Sequence, residues 1–367
     1  MRVLYVTTIG MTMNFFKPFI RKLIDEGHEV DIATNETESA VPDCFRKWGC
    51  TVFQIDTSRS PANKGNLIAI KQIKKLVDEN KYNIVHCHTP VAAMCTRLAC
   101  HKARKNGVKV FYTAHGFHFY KGAPLKNWLI YYPVEKLCAH YTDKLITINQ
   151  EDFALAKRKM KAKEVEYVPG VGIDLNHFQN VSVDKLVKRR ELGIPDGATV
   201  LLSVGELNEN KNHQVVIRAL AHLGHKDVHY IIAGTGTKKE NLKQLALSLK
   251  LSEHLHLLGY RDDIAELLAV ADCFVFPSYR EGLSVSLMEA MAVGLPCVVS
   301  RIRGNTDLID LKGGAYFNPN SIDECCAALK RVLEQERDTM AIHNQMKIQK
   351  FSMENVLSIM NSIYNEG

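Results

Sequence analysis

At 367 residues, with 46% hydrophobic and 24% charged side chains, the chain has the make-up of a water-soluble globular protein of two or three domains. Its apolar runs fall short of the roughly 18 residues of a membrane span, the opening run Met1–Thr7 is too short for a secretion signal, and ten scattered cysteines without a Cys-x-x-Cys pair point to reduced thiols in the cytoplasm. Net charge is +7 and unevenly spread: residues 1–180 hold 26 Lys and Arg against 17 Asp and Glu, a net +9, and residues 181–367 hold 21 against 23, a net −2.

Val3–Thr7 reads as a first strand, Thr7–Met13 as a loop, and Phe15–Glu26 as a helix with Phe16, Phe19, Ile20, Leu23 and Ile24 on one face. Gly27 stops it, and Glu29–Ala33 is the next strand. This βαβ unit has a single glycine, Gly10, where dinucleotide folds carry Gly-x-Gly-x-x-Gly, so neither a nicotinamide nor a flavin cofactor is expected. Cys50–Ile55, Ile84–His88 and Lys109–Ala114 continue as strands, with helices over Asn66–Glu79 and Pro90–Lys105. His86 and His88 share one face of their strand, too close together for a metal site and without further ligands, so no metal is expected. Lys109–Ala114 runs out at His115-Gly-Phe-His118, and ligands of parallel sheets sit beyond strand C-termini. His115 is therefore a candidate site residue, with a simple cap on the strand end as the alternative. Lys126–His140 reads as a helix with Trp128, Tyr131 and Tyr132 beside Lys126 and Lys136. Lys144–Ile148 is a strand, Gln150–Met160 a helix, and Glu166–Val168 a short strand before Pro169-Gly-Val-Gly-Ile-Asp174. The chain then turns polar around 175–195, where a domain boundary is expected. The basic residues of this half alternate with apolar ones at helical spacing and form no nucleic-acid motif. An anionic membrane surface, or an acceptor carrying phosphate, suits them better than nucleic acid.

Thr199–Val204 restarts the pattern and leads into Gly205-Glu-Leu-Asn-Glu-Asn-Lys-Asn-His213. His229–Ala233 is a strand ending in Gly234-Thr-Gly236, Leu242–Leu249 a helix, and His256–Arg261 a strand and loop. The densest stretch runs from Cys273 to Val299. Cys273–Phe276 is a buried strand, Ser284–Val293 a helix stopped by Gly294, and Cys297–Val299 the following strand. Glu281 lies just past the strand end and Glu289 about two turns into the helix. Between them the free N–H groups of Leu283–Ser286 form a helix N-terminus suited to phosphate. Two carboxylates beside an anion site need partners of their own, and sugar hydroxyls for Glu281 and ribose hydroxyls for Glu289 would serve. Spacing alone leaves this equal to a pair of solvated surface charges. Helices over Ser321–Glu334, Asp338–Lys350 and Ser352–Tyr364 complete the chain.

Glu281-x7-Glu289 followed by Ala-Met-Ala-Val-Gly-Leu-Pro296 closely resembles the signature of retaining glycosyltransferases that use nucleotide sugars. That large, family 4-like group includes sucrose-phosphate synthase and bacterial capsule and exopolysaccharide transferases, and the resemblance covers nearly the whole chain. It implies an α/β GT-B fold, two doubly wound Rossmann-like domains facing across a cleft. Residues 1–180 would bind the acceptor and 195–350 the nucleotide sugar, with helix 352–364 crossing back to the first domain. The donor, a UDP-sugar, would meet Gly205, Lys211, Gly234, Tyr260, Arg261, Glu281, Gly282, Leu283, Ser284, Val285 and Glu289. Lys211 would neutralise the departing diphosphate, His115 would line the cleft near the reacting sugar, and Gly10 and His118 would lie on the acceptor side. Gly304-Asn-Thr-Asp307 is similar to the family's Gly-Gly-x-x-Glu loop. One departure matters: relatives carry Arg where this chain has Glu206. No Asp-x-Asp occurs, which agrees with a metal-independent site, and no cofactor is implied. The implied acceptor is a glycan or a sugar on polyprenyl diphosphate, used in surface polysaccharide synthesis at the inner face of the plasma membrane. The aromatic and basic residues of Lys126–His140 suit a headgroup layer there, the alternative being that the aromatics pack inward and the charge is ordinary surface. A UDP-sugar 2-epimerase of the same fold and a non-catalytic sugar-nucleotide-binding protein are the rival readings.

Overall fold

The apolar runs of the sequence become thirteen parallel strands in two sheets among the residues that the computed structural model describes, 1–224, 227–334 and 337–366. The chain divides into two units, Met1–Gly172 with Met353–Gly367, and Ile173–Ser352. The division falls inside the Pro169–Asp174 turn, earlier than the polar stretch suggests. Helices Leu175–Gln179 and Lys185–Glu191 lie in the second unit, capped by the side chains of Asp174 and Asp184.

In the first unit β1 (Arg2–Ile9), β2 (Glu29–Asn35), β3 (Val52–Gln54), β4 (Ile84–His88), β5 (Lys109–Ala114), β6 (Lys144–Thr147) and β7 (Glu164–Tyr167) pair in the order β3-β2-β1-β4-β5-β6-β7. Alternation sends Leu4 and Val6 into one core with the helices Gly65–Asn80 and Pro90–Cys100. Val3 and Tyr5 enter the opposite core, with Lys17–Asp25 and the final helix Met353–Asn365. Both faces are covered, which is why these strands read as continuous apolar runs. β1 extends to Ile9, and Gly10–Phe16 winds as a 3-10 helix where a loop is expected. Pro18 then sits in the first turn of Lys17–Asp25, where its missing N–H costs nothing.

The Leu125–Ala139 helix corrects one expectation. Its Glu135 is buried, 2.8 Å from the fully buried Arg97, whose guanidinium lies 4.2 Å from the Tyr112 ring centroid. A buried charge must be paired, so this contact fixes the helix rotation. Trp128, Tyr131 and Tyr132 consequently pack against the core rather than facing outward. Leu125, Leu129, Ile130, Val134 and Leu137 are left on the exposed face. Among the described residues no helix is long and apolar enough to cross a membrane.

In the second unit β8 (Thr199–Val204), β9 (Val228–Ala233), β10 (Leu255–Gly259), β11 (Cys273–Phe276), β12 (Cys297–Ser300) and β13 (Gly314–Phe317) pair in the order β10-β9-β8-β11-β12-β13. The order reverses between β8 and β11, as it does between β1 and β4 in the first unit. Doubly wound sheets bind ligands at that reversal, beyond the strand C-termini. The helix Val285–Val293 is buried through Leu287, Met288, Ala290, Met291 and Ala292. Gly294 ends it at φ +92°, a left-handed conformation that glycine adopts without strain.

Candidate functional site

The loops that leave β8 and β11 flank the reversal point of the second sheet. They bring Lys211 and Glu281, 70 residues apart in sequence, to 2.8 Å between Nζ and Oε1. Both side chains are less than a fifth exposed, at 18% and 16%, and Nζ also lies 4.6 Å from the Phe276 ring centroid. Asparagines hold the two loops together. Tyr279 N–H donates to the Asn210 carbonyl (2.8 Å), and the Asn210 amide donates to the Arg280 carbonyl (2.9 Å). The Asn212 amide donates to the carbonyls of Pro277 and Pro319. Neither asparagine stood out in the sequence, although the run Asn208-Glu-Asn-Lys-Asn212 was the available signal.

Glycine is required where backbones touch here. A Cβ on Gly234 would stand 1.9 Å from the Gly205 carbonyl oxygen, and one on Gly304 would stand 2.2 Å from that of Gly282. The adjoining Arg303 is buried and donates Nε–H to the Glu281 carbonyl at 3.1 Å. It places a second cation against the Glu281 loop, a residue the sequence reading passed over. Glu206 is exposed and accepts from the Asn208 amide at 2.9 Å. Asp307 follows in the short helical turn Asn305–Leu308.

Ser284 caps the helix Val285–Val293 by accepting from Leu287 N–H. Glu289, on the same helix, has no hydrogen bond or ion pair among the described residues, and burial pushes its carboxyl up to about 7. A desolvated acceptor without a protein donor is suited to ligand hydroxyls. Gly234 N–H donates to the Gly259 carbonyl at 2.7 Å, which sets the loop carrying Tyr260 beside the glycine loop. Tyr260 is 83% exposed. Arg261 is held by Asp263, which also pairs with Lys188 at 2.7 Å. Gly282, Leu283 and Val285 lie in the same loop and first helical turn.

In the first unit His115 follows β5, with Nε2 3.2 Å from Nδ1 of His88 at the end of β4. Burial holds the His115 imidazole down at about 4, so it is neutral at pH 7. Both nitrogens of His86 are engaged, Nδ1 by the Tyr364 hydroxyl at 2.5 Å and Nε2 by the Thr113 hydroxyl at 2.8 Å. His118 stacks on Tyr131, ring centroids 4.6 Å apart, and both line a cavity of about 310 Å³ with Thr8, Thr12, Arg59 and Thr89. Gly10 does not line it. A Cβ there would meet the Ser39 carbonyl at 2.3 Å, so close packing of the 39–41 segment already demands glycine.

Two family models match the chain, "Glycosyl transferases group 1" over residues 184–349 and "Glycosyl transferase 4-like" over residues 2–149. The chain is 38% identical over 313 residues to EpsD of Bacillus subtilis (strain 168), which bears the name of a glycosyltransferase, covering 84% of this chain and 81% of that one. It is 32% identical over 326 residues to the UDP-Gal:alpha-D-GlcNAc-diphosphoundecaprenol alpha-1,3-galactosyltransferase of Escherichia coli, covering 84% and 83%. Among solved structures, Anabaena HepE in complex with UDP has a TM-score of 0.84 at 18% identity, over 100% of both chains.

Proposed function

The chain belongs to the group 1, family 4-like glycosyltransferases of GT-B fold, and from that membership we propose that it moves a sugar from UDP to a lipid-linked sugar acceptor with retention of the anomeric configuration. The observation that carries this reading is the Lys211–Glu281 pair at the reversal point of the second sheet, with a helix N-terminus and the unpartnered Glu289 in the same segment. Lys211 is assigned to the leaving diphosphate, Glu281 to hydroxyls of the sugar, Glu289 to the ribose, and Tyr260 to stacking on the base. His115 is assigned to the transferred sugar. The acceptor oxygen forms its bond to the anomeric carbon while the bond to the β-phosphate oxygen breaks on the same face. The acceptor proton passes to that departing phosphate oxygen, so neither a protein nucleophile nor a metal takes part. The protein contributes orientation and stabilisation of the leaving-group charge.

The Escherichia coli relative is named for a diphosphoundecaprenol-linked acceptor. We assign this chain an acceptor of the same class, with the His118 cavity in the first unit as its site and surface polysaccharide as its product. Incubation with UDP-sugars and a polyprenyl-diphosphate sugar should release UDP only when acceptor is present. The product linkage should keep the donor's anomeric configuration, and a chelator should leave the rate unchanged. UDP release without acceptor, accompanied by C2 inversion, would instead establish an epimerase.

The ion pair adds a prediction about donor recognition. Glu281→Gln releases Lys211 from its carboxylate, so UDP alone should bind at least as tightly as in the wild type. The intact UDP-sugar should bind about tenfold or more weakly, as expected for losing a charged hydrogen-bond acceptor. Calorimetric titration of both ligands reads this directly, and equal weakening of UDP and UDP-sugar would refute it.

A polyprenyl-linked acceptor also calls for peripheral docking at a cytoplasmic leaflet. The basic first half and the outward aliphatic face of Leu125–Ala139, flanked by Lys126 and Lys136, supply a surface for it. Flotation should show binding to anionic vesicles that weakens as salt rises. Leu129, 68% exposed, would lose its insertion on Leu129→Glu, lowering binding about tenfold or more. Binding unchanged by this substitution would remove the helix from the docking surface.

A further inference from the structure

His88 and His115 form a hydrogen bond between two imidazoles that are both kept neutral by burial. Only one of the two facing nitrogens can then carry the proton. If His115 donated from Nε2, His88 would accept at Nδ1 and carry its own proton on Nε2. That Nε2 is buried and has no hydrogen-bond partner among the described residues. The His88 ring is enclosed by aromatic faces: Phe16 stacks on it at 4.0 Å between centroids, Tyr5 at 5.4 Å, and His86 lies 4.2 Å away. A stranded N–H donor in such a place is rarer and more costly than an unfilled lone pair. The opposite arrangement leaves only that lone pair on His88. It has Nδ1–H of His88 donating to Nε2 of His115, so the proton of His115 sits on Nδ1.

We propose that His88 is a positioning residue that holds His115 as the Nδ1–H tautomer, so that His115 meets its ligand as a hydrogen-bond donor and not as a base. The inference about reactivity rests on the role given to His115 above, whereas the tautomer rests on the His88 contact alone. A donor suits a reaction in which the leaving phosphate takes the acceptor proton, because the protein then needs no base at this point. The orienting relation is the one by which a hydrogen bond at one ring nitrogen decides what the other can do. It also gives the His-x-His pattern of β4 a use other than metal binding. His86 is tied to the final helix and to Thr113, and His88 is tied to His115.

The test is long-range ¹H–¹⁵N correlation spectroscopy on ¹⁵N-histidine protein, with the His115 signals identified by their loss in His115→Gln. In the wild type at neutral pH the protonated nitrogen of His115 should be Nδ1. His88→Leu, which keeps the bulk and removes the donor, should return His115 to the Nε2–H form and lower kcat about tenfold or more. His88→Asn puts an amide N–H near the place of Nδ1 and should restore both the tautomer and most of the turnover. Nε2 protonation in the wild type, or a tautomer unaffected by His88→Leu, overturns the proposal without requiring any variant to be active. Full turnover in His115→Gln would overturn the role assigned to His115 and leave the tautomer result standing.

Discussion

Lys211→Ala is expected to lower kcat by about 10²-fold or more, the usual scale for removing one charge contact to a developing anion. The structure adds a second consequence. Glu281 loses its partner while remaining mostly buried, so unfolding should become easier by about 1–3 kcal/mol. Lys211→Met, of similar length and without charge, should reproduce the kinetic loss. Lys211→Arg should recover part of it, since the charge returns in a different shape. Steady-state turnover with saturating donor, beside thermal unfolding of the same preparations, separates the two effects. Near-normal turnover in both Lys211→Ala and Lys211→Met would move the diphosphate role to another cation. Arg303, buried against the Glu281 loop, is then the next residue to replace.

Glu289→Gln should weaken function and strengthen the fold together. The carboxyl is pushed up to about 7 by burial, against roughly 4.3 in an unfolded chain. Between those values the native state binds the proton more tightly than the unfolded state, so wild-type stability falls as pH rises through the interval. Above pH 7 the full penalty is present, on the order of 3–4 kcal/mol. Glutamine carries no charge to desolvate, so the variant should gain little below pH 4 and approach that full gain above pH 7. Its affinity for UDP should drop about tenfold or more at pH 8, where the wild type offers a charged acceptor to the ribose. Denaturant titrations at several pH values and UDP calorimetry at pH 8 give both readouts. A pH-independent stability difference would show that Glu289 is not desolvated. An unchanged UDP affinity would remove it from the ribose site.

The alternation of strands and helices was legible because both sheets are covered on two faces, so strands such as Ile84–His88 and Cys273–Phe276 are apolar throughout. The Glu281–Glu289 segment was legible as strand, loop, helix and stop because Ser284 and Gly294 cap that helix in conformations their residue types favour. The contact between Lys211 and Glu281 was not, because it depends on β8 and β11 being neighbours, and nothing local in either loop encodes that. The face of Leu125–Ala139 was misjudged for a related reason. The helix is apolar on nearly every side, so periodicity has no preferred direction, and its rotation is set by the remote partner Arg97. Glu206 stood out as a missing cation, yet only the fold shows that it accepts from the Asn208 amide and that a different cation, Arg303, donates to the Glu281 carbonyl. The His86-Cys-His88 pattern was weighed only as a metal site because its hydrogen-bond partners lie 27 and 278 residues away.

The first unit is completed by the last helix, whose Tyr364 hydroxyl joins Tyr5 at 2.6 Å across 359 positions of sequence. On the ribosome this half is begun before the second unit yet stays unfinished until the helix Met353–Asn365 has been made. Meanwhile Val3, Tyr5, Phe111 and Ile146 await Val356, Met360 and Ile363, which share their core. The second unit, Ile173–Ser352, is synthesised as one uninterrupted stretch and can close on its own contacts in that interval. Folding should therefore finish in the reverse of the order of synthesis, with a late step limited by so distant a closure. Until then, an open apolar sheet face is the surface most in need of protection from aggregation.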